Sequence, residues 1–532
     1  MSAGTVGPKG DDRRRPNVVC FISDDTAFSM LGYSGGAVLT PNIDALARGG
    51  VQCTRYHTST PVCTPSRYSN LTGHYAGRCP ADNFRDGFPD GEPYCITWNT
   101  DLMPDREQCI GQALQRAGYV TGHVGKWHTG PSERALGVDF FQPDDDPCDP
   151  AIDAKLKEHQ RALVEQVRSN GFDYAASICW GDVDGRTIKK LHSHNLDWTA
   201  WGALDFLDRH GRSDRPFFLY VAPTTIHGPS HVLSLVSDPH MTGAGRLEEH
   251  VGLMPPRLSV IERIELADNV PLNHRTAGAL WMDDLVGTVV ARLGELGLED
   301  DTIVIFSTDH GAFDGKATCY QGGVHIPFAM RWPGRIPAGS TCDALIQHID
   351  FLPTMLAACG APLPDGMAAD GKDMLPWLTG EKVEDEDRED LFFEFGYVRA
   401  VATRKWKYIA VRYPPRLVED MKSGKVDEAC SYTGRSWQSA TMQRYPHYFE
   451  PDQLYDLDSD PEEQNNLAYE PGHAGVLAEM KERLLGYLET FERPFDLDTV
   501  DEFLLSDRFR QMGRKAAAAD MNRFDWYRKG WY

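Results

Sequence analysis

The stretch Asn17-Val-Val-Cys-Phe-Ile-Ser23 is followed directly by Asp24 and Asp25. A short apolar run of this kind is typical of a strand that is buried on both faces of a sheet. Taken alone, the aspartate pair is more typical of an Asx turn than of a ligand site. At the end of a buried strand, however, it places two hard oxygen donors where open α/β sheets bind their ligands.

Segments that resemble strands and helices alternate after this first strand. This alternation implies a mainly parallel sheet that is covered by helices on both faces. The predicted strands are 17–23, 51–57, 119–125, 216–222 and 302–307, and the predicted helices are 41–47, 105–116, 195–208 and 276–296.

Polar residues follow several of the predicted strands. Because the carboxyl ends of parallel strands meet at one edge of a sheet, we expect these residues to share one site. For any one of them alone, a solvated surface position is the ordinary interpretation. Besides Asp24 and Asp25, they are Lys126, His128, His227, Asp309 and His310.

Beyond an acidic run at 381–390, which predicts a solvated boundary, the pattern changes. Short strands are predicted at 391–395, 401–403 and 406–411, and a helix at 472–492. These elements indicate a smaller α+β unit at the C-terminal end.

The net charge of −24 argues against a nucleic acid partner, because phosphate binding needs a basic surface. A small anionic substrate is still compatible, since a few local cations can dominate one pocket. No run approaches the ~18 apolar residues of a membrane span, so we expect no membrane partner. Residues 1–15 lack the apolar core of a secretory signal, which predicts a cytoplasmic protein, or a periplasmic or secreted one if a signal has been removed.

Among the 12 cysteines, none forms a CxxC pair, and most are expected to be small buried hydrophobes. Cys63 differs because it opens the segment Cys63-Thr-Pro-Ser-Arg-Tyr-Ser-Asn-Leu-Thr-Gly73. The segment predicts a helix with Thr64 as N-cap, Pro65 in the first turn and Gly73 at the end. Cys63 would then lie at a helix N-terminus, which favours an anion, and Arg67 could return to the same end. The ordinary alternative is a buried cysteine before a structural helix.

The same segment resembles the formylglycine signature of the type I sulfatases, which belong to the alkaline phosphatase superfamily. The resemblance implies an alkaline-phosphatase-like α/β sandwich with a central, mostly parallel sheet and a smaller α+β C-terminal subdomain. It extends over most of the chain, because further segments similar to the family follow in the same order. These segments are 40–47, 118–122, 125–128, 309–311, 327–334, 454–458, 460–461 and 466–467.

The activity that the resemblance implies is hydrolysis of a sulfate monoester. In that family a maturation enzyme oxidises the cysteine, here Cys63, to 3-oxoalanine (formylglycine). One hydroxyl of the hydrated aldehyde attacks sulfur and forms a covalent intermediate. The other hydroxyl then expels sulfate from that intermediate and restores the aldehyde. By the resemblance, Lys126 and His128 orient and deprotonate the hydrate. His227 and Lys316 would hold sulfate oxygens and assist the leaving group, and Arg67 would complete a cationic lining.

The resemblance also implies one divalent cation, usually Ca²⁺, next to the modified Cys63. Its other ligands would be Asp24, Asp25, Asp309 and His310. An oxygen-rich set favours Ca²⁺ or Mg²⁺. Many family members carry asparagine where this chain has His310, and the imidazole keeps Mg²⁺ and Mn²⁺ as alternatives.

Two other functions stay open. One is a phosphonate monoester or phosphodiester hydrolase of the same fold, which His310 in place of asparagine keeps in consideration. The other is a sulfatase-like binding protein without catalysis, although every expected catalytic position is filled.

The substrate loops, at 79–102, 142–193 and 228–273, contain no predicted element. Trp98 and Trp180 in these loops suit stacking on a sugar ring, so we expect a sulfated mono- or oligosaccharide rather than a small aryl or choline ester. Four histidines receive no role: His325, where many members have arginine, and His192, His194 and His231.

The sequence predicts four regions. The C-terminal extension mixes aromatic and charged residues, which would suit packing on a second copy of the chain in a homo-oligomer. The regions are a disordered tail at 1–15, a catalytic sulfatase domain at 16–385, a C-terminal subdomain at 386–492 and the extension at 493–532.

Overall fold

The structure is a computed structural model. It describes residues 15–511 except 107–108, 132–140, 250, 313–314, 365–366, 368, 383–387 and 426–440. The predicted N-terminal tail, apart from Arg15, and the last part of the extension therefore lie outside the described residues.

Strands and helices alternate along most of the described chain. The strands are β1 (Asn17–Ser23), β2 (Val51–Cys53), β3 (Tyr56–His57), β4 (Val120–Lys126), β5 (Tyr174–Cys179), β6 (Phe217–Ala222), β7 (Met241–Thr242), β8 (Gly245–Arg246), β9 (Thr302–Thr308), β10 (Phe328–Arg331), β11 (Ser340–Cys342), β12 (Ile346–Gln347), β13 (Leu391–Phe395), β14 (Val398–Ala402), β15 (Trp406–Val411) and β16 (Asp452–Asp456). The helices are α1 (Pro41–Arg48), α2 (Cys63–Thr72), α3 (Asp82–Arg85), α4 (Ile110–Arg116), α5 (Pro150–Ser169), α6 (Leu196–His210), α7 (His231–Leu235), α8 (Arg257–Glu265), α9 (His274–Glu295), α10 (Gln321–Val324), α11 (Phe351–Ala358), α12 (Leu375–Leu378), α13 (Pro415–Lys422), α14 (Thr441–Arg444), α15 (Ala474–Leu488) and α16 (Glu502–Leu505).

The large sheet has the strand order β11-β2-β10-β9-β1-β6-β4-β5. The neighbours β9, β1, β6, β4 and β5 are all parallel. β10 runs antiparallel to β9 and β2, and β11 is parallel to β2. The predicted mainly parallel sheet is therefore confirmed, and its parallel block sends five carboxyl ends to one edge.

Strand β1 lies inside this parallel block, between β6 and β9, and all seven of its residues are buried. Val18, Cys20 and Ile22 pack into the core on one face of the sheet, and Val19 and Phe21 pack into the core on the other. Successive side chains of a strand point to opposite faces. A strand with both faces covered must therefore be apolar throughout, which explains the continuous run in the sequence.

The prediction of one strand over 51–57 is wrong. The chain leaves the large sheet after Cys53, where the backbone N–H of Thr54 donates to Cys342 at 2.9 Å. Tyr56 and His57, which form β3, pair with β12 in a separate two-stranded sheet. Arg55, at the break, forms an ion pair with Asp343 at the surface. This charged residue in the apolar run is the sequence signal for the break.

The predicted helix at 105–116 is shorter in the structure. Helix α4 begins at Ile110, because Cys109 caps it and the backbone N–H of Cys109 donates to Gln112. In the region 142–193, where no element is predicted, the structure has α5 and β5. Apolar spacing at Leu156, Leu163 and Val167, which are buried in α5, is the signal for that helix.

The C-terminal unit is a four-stranded antiparallel sheet, β13-β14-β15-β16. Helix α15 covers one face with Met480 and Leu484. The other face packs against the large domain, where Phe393 and Ile409 share a core with Tyr320. The predicted smaller α+β unit is confirmed, whereas its boundary at 385–386 stays a prediction. In the part of the chain that the structure describes, no helix is long and apolar enough to cross a bilayer.

A buried ion pair lies within the C-terminal unit, where Glu463 also accepts a hydrogen bond from Gln321 of the large domain. Lys407 and Glu463 have no exposed surface and are 3.0 Å apart. Removing one partner of a buried pair leaves an uncompensated charge, which costs about 3–5 kcal/mol. We expect Lys407→Met to lower the thermal unfolding midpoint clearly, and the double variant Lys407→Met/Glu463→Gln to recover much of the loss. Calorimetry of both checks this, and a single variant as stable as the double contradicts it.

Candidate active site

The structure brings the predicted polar residues together at the carboxyl edge of the large sheet. They follow or end four of its parallel strands. Asp24 and Asp25 follow β1, Lys126 ends β4 and His128 comes two residues later, His227 lies beyond β6, and Asp309 and His310 follow β9.

Four buried side chains point one potential ligand atom each toward a common centre. These atoms, from Asp24, Cys63, Asp309 and His310, lie within 4.8 Å of one another. His310 Nε2 is 3.2 Å from Cys63 Sγ and 3.6 Å from an oxygen of Asp309. Its other nitrogen, Nδ1, donates to the carbonyl of Gly311 at 2.9 Å. The lone pair of Nε2 therefore faces the carboxylates, as in a metal ligand.

Asp25 completes the predicted ligand set from one side. Its Oδ1 lies 3.2 Å from His310 Nε2, and its backbone N–H donates to Asp309 at 3.3 Å. The carboxylate also accepts from Lys316 Nζ at 2.9 Å. Asp25 thus links the carboxylate cluster to the cations around it.

The charges of the cluster call for a cation. Burial raises the pKa of Asp309, and the charge of Asp24 raises it further, although Arg67 lies at 2.9 Å. Burial also opposes ionisation of Asp24, but Lys126, His227 and Arg67 outweigh it and lower the pKa of that carboxyl. Burial is the main cause of the raised pKa of Asp309, and a cation bound between the carboxylates would lower that pKa again. Carboxylates with one imidazole fit a divalent cation such as Ca²⁺, Mg²⁺ or Mn²⁺.

Helix α2 starts at Cys63 itself, after Val62 in extended conformation. The predicted N-cap role of Thr64 is therefore wrong, because Thr64 is already the second helical residue. Gly73 ends the helix with φ 74°, as predicted. All ten helical residues are buried, and burial raises the pKa of the Cys63 thiol. An unmodified thiol here is a weak nucleophile, since the thiolate is the reactive form.

Lys126 and His128 flank the thiol. Lys126 Nζ lies 3.5 Å from Cys63 Sγ and 2.5 Å from Asp24. His128 is buried, and its burial together with the charge of Lys126 lowers its pKa to about 3. The imidazole is therefore neutral near pH 7, and one of its nitrogens lies near the thiol of Cys63. The edge of Trp180 lies against the ring of His128, with centroids 5.0 Å apart.

His227 and Lys316 lie on the side of Asp25. His227 Nδ1 contacts the carbonyl of Gly228 at 3.1 Å, and its Nε2 lies 3.9 Å from Asp25. Burial lowers the pKa of Lys316, but Asp25 and other acidic groups outweigh it, so the net shift is upward and the ammonium is charged. Both groups can donate hydrogen bonds to an anion beside Cys63.

Arg67 takes a different position. Its guanidinium pairs with Asp309 and is 1% exposed, and Nη2 lies 3.4 Å from the carbonyl of Ser23. It lies on the core side of the carboxylates. We infer that it neutralises the cluster rather than lining the open pocket.

The backbone is left-handed at three positions of the site. Asp25 has φ 57°, His128 has φ 51°, and Ala317, next to Lys316, has φ 63°. Non-glycine residues reach this region at a cost of order 1 kcal/mol or more each, and they concentrate at functional sites. These bends turn side chains at strand ends back toward one centre.

Asp182 belongs to the site but is missing from the sequence prediction. Its carboxylate lies 2.5 Å from Lys126 Nζ and 3.4 Å from His227 Nε2. It is also within 4.8 Å of the ligand atoms of Cys63 and His128. Asp182 follows β5, so predicting that strand would have revealed it by the same rule as its neighbours.

Two of the unassigned histidines lie away from the cluster. His325 Nε2 contacts the carbonyl of Thr54 at 2.9 Å, and its ring stacks on Phe28 with centroids 4.4 Å apart. His192 contacts the carbonyl of Arg186 at 2.6 Å. Both therefore have structural contacts.

A family model described as Sulfatase matches residues 16–361. The chain belongs to the sulfatase family. Arylsulfatase A of Homo sapiens is 30% identical over 88% of this chain and 86% of its own length. N-acetylgalactosamine-6-O-sulfatase of Bacteroides thetaiotaomicron is 26% identical over 89% of this chain and 93% of its own length. The solved structure of a phosphonate monoester hydrolase of Agrobacterium radiobacter superposes with a TM-score of 0.55 at 21% identity, covering 89% of this chain and 95% of that one.

These relationships confirm the alkaline-phosphatase-like fold and the class of sulfuric ester hydrolase. Membership in the family implies a metal ion and a formylglycine in the active enzyme. The residues of this sulfatase fit both, because Cys63 opens helix α2 and its thiol lies with Asp24, Asp309 and His310 in a buried cluster of potential ligand atoms.

Removal of one cluster carboxylate should release the metal. We expect Asp309→Asn to lose bound divalent metal and activity together, because it removes a charged ligand while keeping the shape next to Arg67. Elemental analysis of the purified sulfatase beside activity checks this. Asp283→Asn is the control, since Asp283 is a buried carboxyl that holds the start of α1 through Ile43. Full activity of thoroughly chelated wild type would contradict a metal requirement.

Asp182 should weaken binding of the product anion. A unit charge about 5 Å from a bound sulfate contributes roughly 3 kcal/mol at an effective dielectric constant near 20. We therefore expect Asp182→Asn to lower the inhibition constant of inorganic sulfate by about tenfold or more. The control is Asp300→Asn, an exposed carboxylate just before β9 at the opposite edge of the sheet, which should leave the inhibition constant unchanged. Unchanged inhibition in Asp182→Asn would place Asp182 outside the anion site.

Proposed function

We propose that this sulfatase hydrolyses sulfate monoesters of carbohydrates with formylglycine at position 63 and Ca²⁺ as its metal. The observation that carries the proposal is the convergence on Cys63. Two lysines, two histidines and a buried carboxylate cluster surround the first residue of a fully buried helix. Mg²⁺ and Mn²⁺ are the alternative metals.

Each side chain has a role that its contacts support. Oxidised to formylglycine, residue 63 supplies a hydrated aldehyde, with one hydroxyl to attack sulfur and a second to release sulfate. His128, which is neutral, accepts a proton from the hydrated aldehyde. Lys126, which is held by Asp24, orients the aldehyde hydrate. A divalent cation, when bound, adds the largest positive charge of the site.

The leaving group needs positive charge on the other side. Lys316 and His227 are held by Asp25 and present N–H donors toward the same pocket. Negative charge develops on the ester oxygen as the S–O bond breaks, and preorganised donors stabilise that charge. The two residues therefore lower the barrier rather than only tighten binding.

A sugar is the proposed alcohol half of the ester. The similar N-acetylgalactosamine-6-O-sulfatase acts on a sulfated sugar by its name. Trp180, beside His128, is partly exposed and suits stacking on a sugar ring. Asp182 and the exposed Asp184 are acceptors for sugar hydroxyls. A phosphonate monoester or phosphodiester hydrolase stays the alternative, because the same residues would serve it.

Other features of the proposal rest on sequence alone. A formylglycine-generating enzyme is the partner that Cys63 requires. In the described part of the extension, Phe495 and Phe509 pack into cores of the same chain. A homo-oligomer through the extension stays a prediction. A cytoplasmic location, or an exported one if a signal has been removed, stays a prediction.

A substrate panel tests the proposed function. The sulfatase is co-expressed with a formylglycine-generating enzyme, and peptide mass spectrometry over residues 56–67 verifies conversion of Cys63. We expect sulfate release from sulfated mono- or oligosaccharides to exceed turnover of phosphodiesters and phosphonates, and Cys63→Ala to abolish it. Faster phosphodiester turnover would favour the alternative function. An unmodified thiol after co-expression would contradict the formylglycine mechanism.

The leaving-group roles make a separate prediction. Removing one preorganised donor typically costs roughly 10²–10³ in rate. We expect His227→Ala and Lys316→Ala to lower kcat/KM by that amount for an alkyl sulfate, and less for an aryl sulfate whose phenol leaves easily. Lys405→Ala, an exposed lysine on the small sheet, is the control. Equal losses for both esters would assign the residues to binding alone.

A further inference from the structure

Three buried histidines form a stack beside the site. His194 precedes α6, His231 opens α7 and His274 opens α9; they are 1%, 0% and 5% exposed. The rings of His194 and His231 stack with centroids 4.3 Å apart, and those of His231 and His274 with centroids 4.4 Å apart. A Cβ on Gly278 of α9 would come within 2.8 Å of His231 Nδ1, so the helix leaves room for this ring.

The stack holds the loop that leads to His227. His194 Nδ1 lies 2.8 Å from the hydroxyl of Thr224, and His274 bonds to the backbone of Ile226. On its other side the loop pairs with Asp24. The N–H of Asp24 donates to the carbonyl of Thr225 at 2.8 Å, and the N–H of Ile226 donates to the carbonyl of Asp24 at 2.5 Å. The backbone just before His227 is thus held between a carboxylate residue of the site and the histidines.

The hydrogen bonds assign protons within the stack. The backbone N–H of His231 points to His274 Nδ1 at 3.4 Å, so that nitrogen is an acceptor. The 2.8 Å contact between the two Nδ1 atoms then requires His231 to donate. His231 carries its proton on Nδ1, and its Nε2 is buried without a hydrogen-bond partner among the described residues. This network exists only while His274 is neutral, because a proton on its Nδ1 would face two hydrogen-bond donors of His231.

The surroundings disfavour a charge on the stack. The groups that face it are Arg186, His227 and Arg275, with the carboxylates Asp24 and Asp25 acting on His194 and His274 from the metal cluster. Burial, followed by the neighbouring cationic groups, lowers the pKa of His194 to about 3 and that of His231 well below its ordinary value. Burial likewise lowers the pKa of His274 to about 4.

We propose that His194, His231 and His274 are positioning residues whose neutral stack holds the 224–228 loop and thereby sets His227 at the reacting centre. The inference rests on the proposed role of His227. Protonation of the rings breaks the stack and frees the loop, so the enzyme loses activity cooperatively on the acid side.

The sign of the pH dependence follows from linkage. An open loop exposes histidines with an ordinary pKa near 6.5, whereas the closed stack depresses it. The closed state is therefore fully favoured above that pH and is lost as pH falls toward about 4. Each proton taken up on opening changes the opening constant about tenfold per pH unit.

Hydrogen exchange tests the loop without any substrate. Peptides over residues 224–231 of the metal-saturated full chain are followed from pH 4.5 to 8, corrected for intrinsic exchange, together with kcat/KM on a sulfate ester. We expect a slope of about two to three protons in wild type for both readouts. His231→Asn and His194→Asn keep a polar atom at the Nδ1 position but cannot titrate, so each should lower the slope by about one proton, or tenfold per pH unit.

The control is His159→Asn, a buried histidine on α5 away from the loop, which should leave the slopes unchanged. Equal loop protection at pH 5 and pH 8 in wild type, or an unchanged slope in both asparagine variants, would overturn the proposal. If no sulfate ester is hydrolysed but the exchange slopes change as expected, the stack proposal stands and the proposed function fails. If sulfate ester hydrolysis falls at acid pH as expected but the loop does not open, the proposed function stands and the stack proposal fails.

Discussion

Three buried carboxylates that repel one another can stay together only if cations hold them, and the rest of the site depends on this requirement. Asp24, Asp25 and Asp309 meet at one edge of the sheet, where burial alone would neutralise them. Each is instead held by a different cation: Lys126 for Asp24, Lys316 for Asp25 and Arg67 for Asp309. Because these cations come from a strand, a loop and a helix far apart in sequence, the site forms only when the whole α/β domain has folded.

The same arrangement explains how a strongly acidic chain handles an anion. The basic side chains reach Cys63 because acidic partners hold them there, so the local charge differs from the net charge. Asp182 extends this pattern to the open side of the pocket, where it contacts Lys126 and His227. A sulfate ester must displace or share these contacts, so anion binding and the resting ion pairs compete for the same cations.

Sequence patterns predicted the parts of this structure that depend on burial and strand ends. The continuous apolar run of β1 indicated a parallel sheet, and the polar residues after β1, β4, β6 and β9 met as expected. The resemblance supplied Lys316 and the chemistry of Cys63, which spacing alone could not. The helix start was misplaced by two residues, because Val62 rather than Thr64 caps α2, through its extended backbone and without a side-chain bond. The break after Cys53 depends on tertiary pairing with β11, which no local pattern records. Asp182 was missed because the strand before it, β5, was not predicted.

Contacts from the small C-terminal unit determine how much of the chain is needed to support the site. The segment that follows Lys316 is fixed from that sheet: the Tyr320 ring stacks on Tyr445 at 3.7 Å, its hydroxyl donates to Gln453 at 2.6 Å, and the N–H of Gln321 donates to Glu463 at 2.5 Å. All three partners lie far beyond residue 361, where the family match stops. The span of the family model is therefore shorter than the part of the chain that supports the site, whereas arylsulfatase A aligns over 88% of this chain. A gene cut at residue 361 would keep every predicted metal ligand while losing the contacts that hold the segment after Lys316.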